Sequence, residues 1–201
     1  MKKRFKMIIT VAMLACSMAL MGFGVYAASS HTLTVNNYIQ FSVGDNIAVT
    51  FEGKSAIAAP QKYSTATGTK THTATAGVTS SALDKPTWEP WTDADPAVMT
   101  VGNETMYWIF KVTNNSTSNA IKVGVYAAGE GTTALAAPTG YTLSVKYATS
   151  DILPATALSS NQTGSIAAGA TNYILVQLTV SSNVANIAKA PFNFKLVAEK
   201  V

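Results

Sequence analysis

In "MYWIFKVT", Met106, Trp108, Phe110 and Val112 recur at every second residue, opposite Tyr107, Ile109, Lys111 and Thr113. An extended chain alternates its side chains between two faces, whereas a helix repeats every 3.6 residues, so this spacing demands a strand. The same period returns along the chain. It groups Leu33 with Val35, Ile39 with Phe41 and Val43, Ile47 with Val49 and Phe51, and Ile121 with Val123 and Val125. Later it groups Tyr141, Leu143, Val145 and Tyr147, then Ile174, Val176, Leu178 and Val180, then Phe192, Phe194 and Leu196. No stretch after Ala27 sustains a helical apolar period, and the connections are rich in Gly, Ser, Asn, Thr and Pro.

A chain with many short strands and no helices to cover a parallel sheet must bury its apolar faces sheet against sheet. The predicted fold class is therefore all-β: an antiparallel β-sandwich, jelly-roll or immunoglobulin-like, preferred to a closed barrel. Turn chemistry at Gly44-Asp45-Asn46 predicts an early hairpin between "YIQFSV" and "IAVTFEG". The polar "NNSTSN", residues 114–119, predicts a loop between two core strands.

The chain opens with a basic head, "MKKRFK", then an apolar run from Met7 to Tyr26 and a small-x-small site at Val25-Tyr26-Ala27. This pattern predicts a secretory signal peptide, 1–27, cleaved after Ala27. An uncleaved anchor and a lipid-modified Cys16 are the alternatives. Four of the 14 basic residues (Lys2, Lys3, Arg4, Lys6) and none of the 10 acidic ones lie in this segment. The remainder of the chain carries 10 lysines against 10 carboxylates, which excludes the cationic surplus that nucleic-acid binding needs. Cys16 is the only cysteine, so residues 28–201 contain neither a disulfide nor a thiolate site, and a hydrophobic core must hold them. They are expected to form a single β-sandwich domain with an irregular polar insertion at about 54–100.

That insertion contains "STATGTKTHTAT", with Thr65, Thr67, Thr69, Thr71, Thr73 and Thr75 at alternate positions. A solvent-facing edge strand or a polar loop accounts for it; an ordered hydroxyl array for ice or polysaccharide, or an O-glycosylated segment, is the sharper reading.

Motifs for chemistry are missing. His31 and His72 are the only imidazoles and neither has metal-ligand or triad spacing. The carboxylates cluster once, as Asp84, Glu89, Asp93 and Asp95, without the glycine turn and distal Glu of a calcium loop. There is no phosphate loop, nucleophile elbow or dinucleotide fingerprint, so no cofactor and no enzymatic activity are expected. Trp88 and Trp91, beside Asp93 and Asp95, either plug the end of the sandwich or form a platform for a sugar ring.

"FKVTNNSTSNAIKVGVY" followed by "SIAAGATNYILVQLTV" resembles the secreted TasA/camelysin-like matrix proteins of Gram-positive bacteria over about half of residues 28–201. The resemblance implies a jelly-roll sandwich, exported to the cell surface and assembled into extracellular (biofilm) matrix fibres. It also implies a donor strand near the N-terminus that completes a neighbour's sheet. Here the candidate is "SSHTLTV", Ser29 to Val35, with Leu33 and Val35 as the side chains that fill pockets. The family's aromatic-rich processing region is replaced by "VYAASSH". The partners expected are further copies of the chain or other surface proteins, and polysaccharide in the rival reading of a carbohydrate-binding or adhesion module; no nucleic acid is expected, and no membrane after cleavage.

Overall fold

The structure, a computed structural model, describes residues 30–34, 38–44, 46–68, 70–77, 87–90, 97–100, 104–129, 131–181 and 190–201. The β-fold occupies the compact unit His31–Val201. Its strands are β1 (Ser30–Thr34), β2 (Tyr38–Val43), β3 (Ala48–Ile57), β4 (Lys70–Gly77), β5 (Thr87–Pro90), β6 (Ala97–Thr100) and β7 (Thr105–Asn114). The set continues with β8 (Ile121–Ala127), β9 (Tyr141–Ala148), β10 (Thr156–Ala157), β11 (Thr171–Val180), β12 (Ala190–Pro191) and β13 (Phe194–Lys200). Among the described residues no helix is long and apolar enough to cross a membrane.

Two sheets pack face to face, as the alternation demands. One has six strands in the order β10-β9-β11-β7-β3-β4, all antiparallel. The other has four, β5-β2-β13-β8, and a further sheet has three, β12-β1-β6. In the chain β1 precedes β2, β5 precedes β6 and β12 precedes β13, so the strand order of the small sheet mirrors that of three strands of the larger one. The N-terminal segment runs parallel to the C-terminal one, Leu33 opposite Ala190 and Gln40 opposite Lys195. These two ladders are parallel, whereas every pairing within the six-stranded sheet is antiparallel.

The core is the set of residues that the period selected. Phe41, Phe51, Trp108, Phe110 and Phe194 are almost completely excluded from solvent, with Leu33, Ile39, Val49, Ile121, Ile174, Val176 and Leu196 around them. Phe110 and Trp108 each meet Phe194 edge-on, at 5.9 and 5.4 Å between ring centres. Such pairs stabilise by about 0.5–1.5 kcal/mol beyond the area they bury.

The predicted hairpin at Gly44–Asn46 is overturned: β2 and β3 lie in opposite sheets. Phe41 and Phe51 explain this, because their rings meet across the sandwich at 5.0 Å, whereas hairpin partners would lie side by side in one sheet. The turn is thus an arch, with Asn46 at φ 58° and Gly44 N donating to Ala198 O at 2.9 Å. "NNSTSN" is a second arch, from β7 in one sheet to β8 in the other. The two arches are tied together: Asn119 Nδ2 donates to Asn46 O at 2.7 Å, and Ala48 N donates to Ser116 Oγ at 3.0 Å.

Within the stretch expected to be an irregular insertion, the described residues include regular elements. β3 runs on to Ile57, a 3-10 turn covers Tyr63–Thr65, and of the threonine run Thr71, Thr73 and Thr75 fall in edge strand β4 while Thr65 ends the 3-10 turn. Lys54 and Ser55 hid the end of β3, since neither is apolar although Ser55 is buried.

Candidate functional site

The outer face of the six-stranded sheet divides into a covered half and an open half. At Tyr107, Ile109, Leu175 and Ala56 the side chains point away from the main core, yet all are buried. They are covered by residues 58–68, which cross the sheet as an arm carrying Ala58, Tyr63 and Ala66. Lys54 fastens the arm from below, its Nζ donating to Tyr63 O at 3.0 Å and lying 4.7 Å from the centre of the Tyr63 ring. Asp151 fastens it from the side, where Oδ1 accepts the Ser64 amide at 3.3 Å and so satisfies a free N–H of the 3-10 turn.

Beside the arm the face is open. Register places Tyr173, Lys111, Glu52 and Thr73 in one row across β11, β7, β3 and β4. The next row is Thr171, Thr113, Thr50 and Thr75. Hydroxyls in this second row pair across strands, Thr113 with Thr171 at 3.2 Å and Thr50 with Thr75 at 3.3 Å, and Asn115 Nδ2 donates to Thr50 Oγ1 at 2.7 Å. In the first row Lys111 Nζ donates to Glu52 Oε2 at 2.7 Å, both side chains 36% exposed. At that exposure the pair is worth about 0.2–1 kcal/mol, too little to explain it as a stability device. The Tyr63 ring, at the border of the arm, stands 6.1 Å from Tyr173 at 45°.

These groups shift one another. Burial first, then the Glu52 carboxylate, pushes the Tyr63 hydroxyl above its usual range. Burial and then Asp151 do the same to Tyr173. The hydrogen bond to Glu52 raises Lys111, and the Ser64 side chain, donating to Asp151, holds that carboxyl below its usual value. Among the described residues no three His, Cys, Asp or Glu side chains converge on a metal position.

Of the residues singled out by sequence, Trp88 and Leu33 belong to strands outside the six-stranded sheet. Trp88 is in β5, its backbone opposite Gln40 of β2, whereas Trp91, Asp93 and Asp95 lie outside the described residues, as does Val35. Leu33 is in β1, between β12 and β6, and is fully buried. Sequence reasoning missed the Tyr63–Tyr173 surface because its members come from five separate segments, the arm and four strands, and only the fold joins them. One signal was present: Tyr107 and Ile109 are too apolar for a face left to water, which called for a cover.

No protein-family model matches this chain, and a search among curated proteins finds no significant relative.

Proposed function

We propose that the chain is a secreted, non-enzymatic structural protein of the bacterial surface or extracellular matrix, and that it forms fibres by exchanging β1 between copies. The observation that carries this reading is the position of β1. It is the first strand of the described residues, it lies between β12 and β6 with Leu33 wholly buried in the core, and its parallel partner β12 is only two residues long. Residues 35–37 alone separate it from β2. If this link extends, the same Leu33 fills the same pocket in the next copy, with the same backbone hydrogen bonds, so exchange costs few contacts. Head-to-tail exchange propagates as a filament wherever successive copies do not close into a ring.

Size-exclusion chromatography and negative-stain microscopy on residues 28–201, beside a chain starting at Asn36, test this. Filaments from the longer chain that vanish in a still-folded shorter one are expected. Folded monomers from both remove the fibre reading.

A further inference from the structure

We propose that the open strip on the outer face of the six-stranded sheet binds a neutral polysaccharide, independently of any exchange of β1. The strip runs from Tyr173 through Lys111 and Glu52 to Thr73, three strand spacings or about 14 Å, and is two side-chain rows, about 7 Å, wide. The arm bounds it on one side, with the Tyr63 ring at the border, so an elongated ligand lies along a step and not on a bare plane.

Its chemistry selects the ligand. Two half-buried tyrosine rings offer apolar faces with polar tips, which suit the C–H face and the hydroxyl rim of a sugar ring. Glu52 accepts and Lys111 donates, both open enough to solvent to exchange partners, and their charges cancel. The exposed Thr73 and Thr75 add hydroxyls that both donate and accept. A nucleic acid or an anionic glycan would need a surplus of cations, and the strip with its border has two ammoniums, Lys111 and Lys54, against two carboxylates, Glu52 and Asp151. An extended peptide would seek an open strand edge, where main-chain groups are free, and this is a face. A chain of uncharged hydroxylated rings satisfies every group present.

The arm is also braced for this task. Lys54 and Asp151 fix it at both flanks, so the Tyr63 ring is positioned before any ligand arrives, which lowers the ordering cost of binding.

The test is retention of the full chain, expressed from its complete reading frame, on cellulose and on chitin, with polygalacturonate gel as an anionic comparison. Retention on at least one neutral matrix is expected, reduced at least fivefold by Tyr173→Leu and by Glu52→Ala and unchanged by Trp88→Ala. Melting curves accompany each variant; should Tyr173→Leu fail to fold, Glu52→Ala, at a half-exposed position, decides alone. The proposal is overturned by no retention on either neutral matrix, by retention on polygalacturonate only, by undiminished retention of Glu52→Ala, or by loss in Trp88→Ala. Fibre formation by the same preparations is scored separately, so the failure of one reading leaves the other standing.

Discussion

Asn114 Nδ2 donates to the main-chain oxygen of Ile166 at 3.0 Å, although Asn114 ends β7 and Ile166 lies in a loop 52 positions further on. The same amide donates to Asn119 O at 2.9 Å, and its Oδ1 accepts Ser116 N at 3.1 Å, so one fully buried side chain closes the β7–β8 arch on itself and onto a second loop. Asn114→Ala removes all three bonds: Ile166 O keeps the Ile121 amide, whereas Asn119 O and Ser116 N lose this partner at half-buried positions, at about 1–3 kcal/mol for each group left unsatisfied. A loss of roughly 2–4 kcal/mol in urea unfolding is expected, less than the full sum because neighbours relax. The adjacent Asn115→Ala, which removes an exposed bond to Thr50, is expected to stay within about 1 kcal/mol of wild type.

Gly124 and Tyr126 are coupled. A Cβ on Gly124 would lie 2.2 Å from Tyr126 Cε2 and 2.6 Å from Cζ, because the tyrosine ring rests on the glycine across one pleat of β8. Tyr126 is only 5% exposed, so its ring cannot swing aside freely. Gly124→Ala is expected to destabilise by about 1–3 kcal/mol, as overpacking does. In a Tyr126→Ala background the same substitution is expected to cost much less. Additive losses in that double-mutant cycle would refute the contact.

Most of the sandwich was legible because burial on one face writes itself as period two: Trp108, Phe110, Ile174 and Val176 are in the core where alternation put them. Strand pairing was not legible. "YIQFSV-GDN-IAVTFEG" has the same local pattern whether it turns back in its own sheet or arches across, and only the meeting of Phe41 with Phe51 decides. The candidate strip was hidden for a related reason. Glu52, Lys111 and Tyr173 occupy positions that look solvent-facing one by one, and they become a surface only when β3, β7 and β11 lie side by side.

Alkaline pH is expected to destabilise the fold, and the tyrosines set the sign. Burial, the leading cause in each, raises the hydroxyl pKa of Tyr63, Tyr107, Tyr141 and Tyr173 above the ordinary 10.0. The folded chain therefore holds protons that the unfolded chain releases near pH 10. Their contribution is complete below pH 10 and is lost as pH rises through the higher folded values. Denaturant melts across the alkaline range, with tyrosinate absorbance followed in parallel, check this; Tyr173→Phe is expected to flatten the slope, and an unchanged slope would count against it.

Acid acts on the arm through Asp151. Its folded pKa lies below 3.8, first because the Ser64 side chain donates to the carboxylate, so its stabilising contribution is present above pH 3.8 and fades as pH falls through the lower folded value. The group is solvent-accessible, so the effect is local to the arm and not a collapse of the sandwich. Hydrogen exchange of the Ser64 amide, which donates to Asp151, is expected to speed up below that range relative to amides in β7 and β11. Asp151→Asn is expected to remove the pH dependence and leave protection low throughout.

Leu33 gives the most direct test of whether β1 is an exchangeable part. Fully buried, it is expected to cost about 2–5 kcal/mol when replaced by Ala, as other core leucines do. A synthetic peptide spanning residues 28–35, added to the chain that begins at Asn36, is expected to raise its melting temperature in a concentration-dependent way, since binding to the folded state alone stabilises it by mass action. The same peptide with Leu33→Asp is expected to do nothing, because the pocket would have to bury an unpaired charge. Equal rescue by both peptides would show that the backbone ladder, not the Leu33 pocket, holds the strand; rescue by neither would show that β1 folds only as part of its own chain.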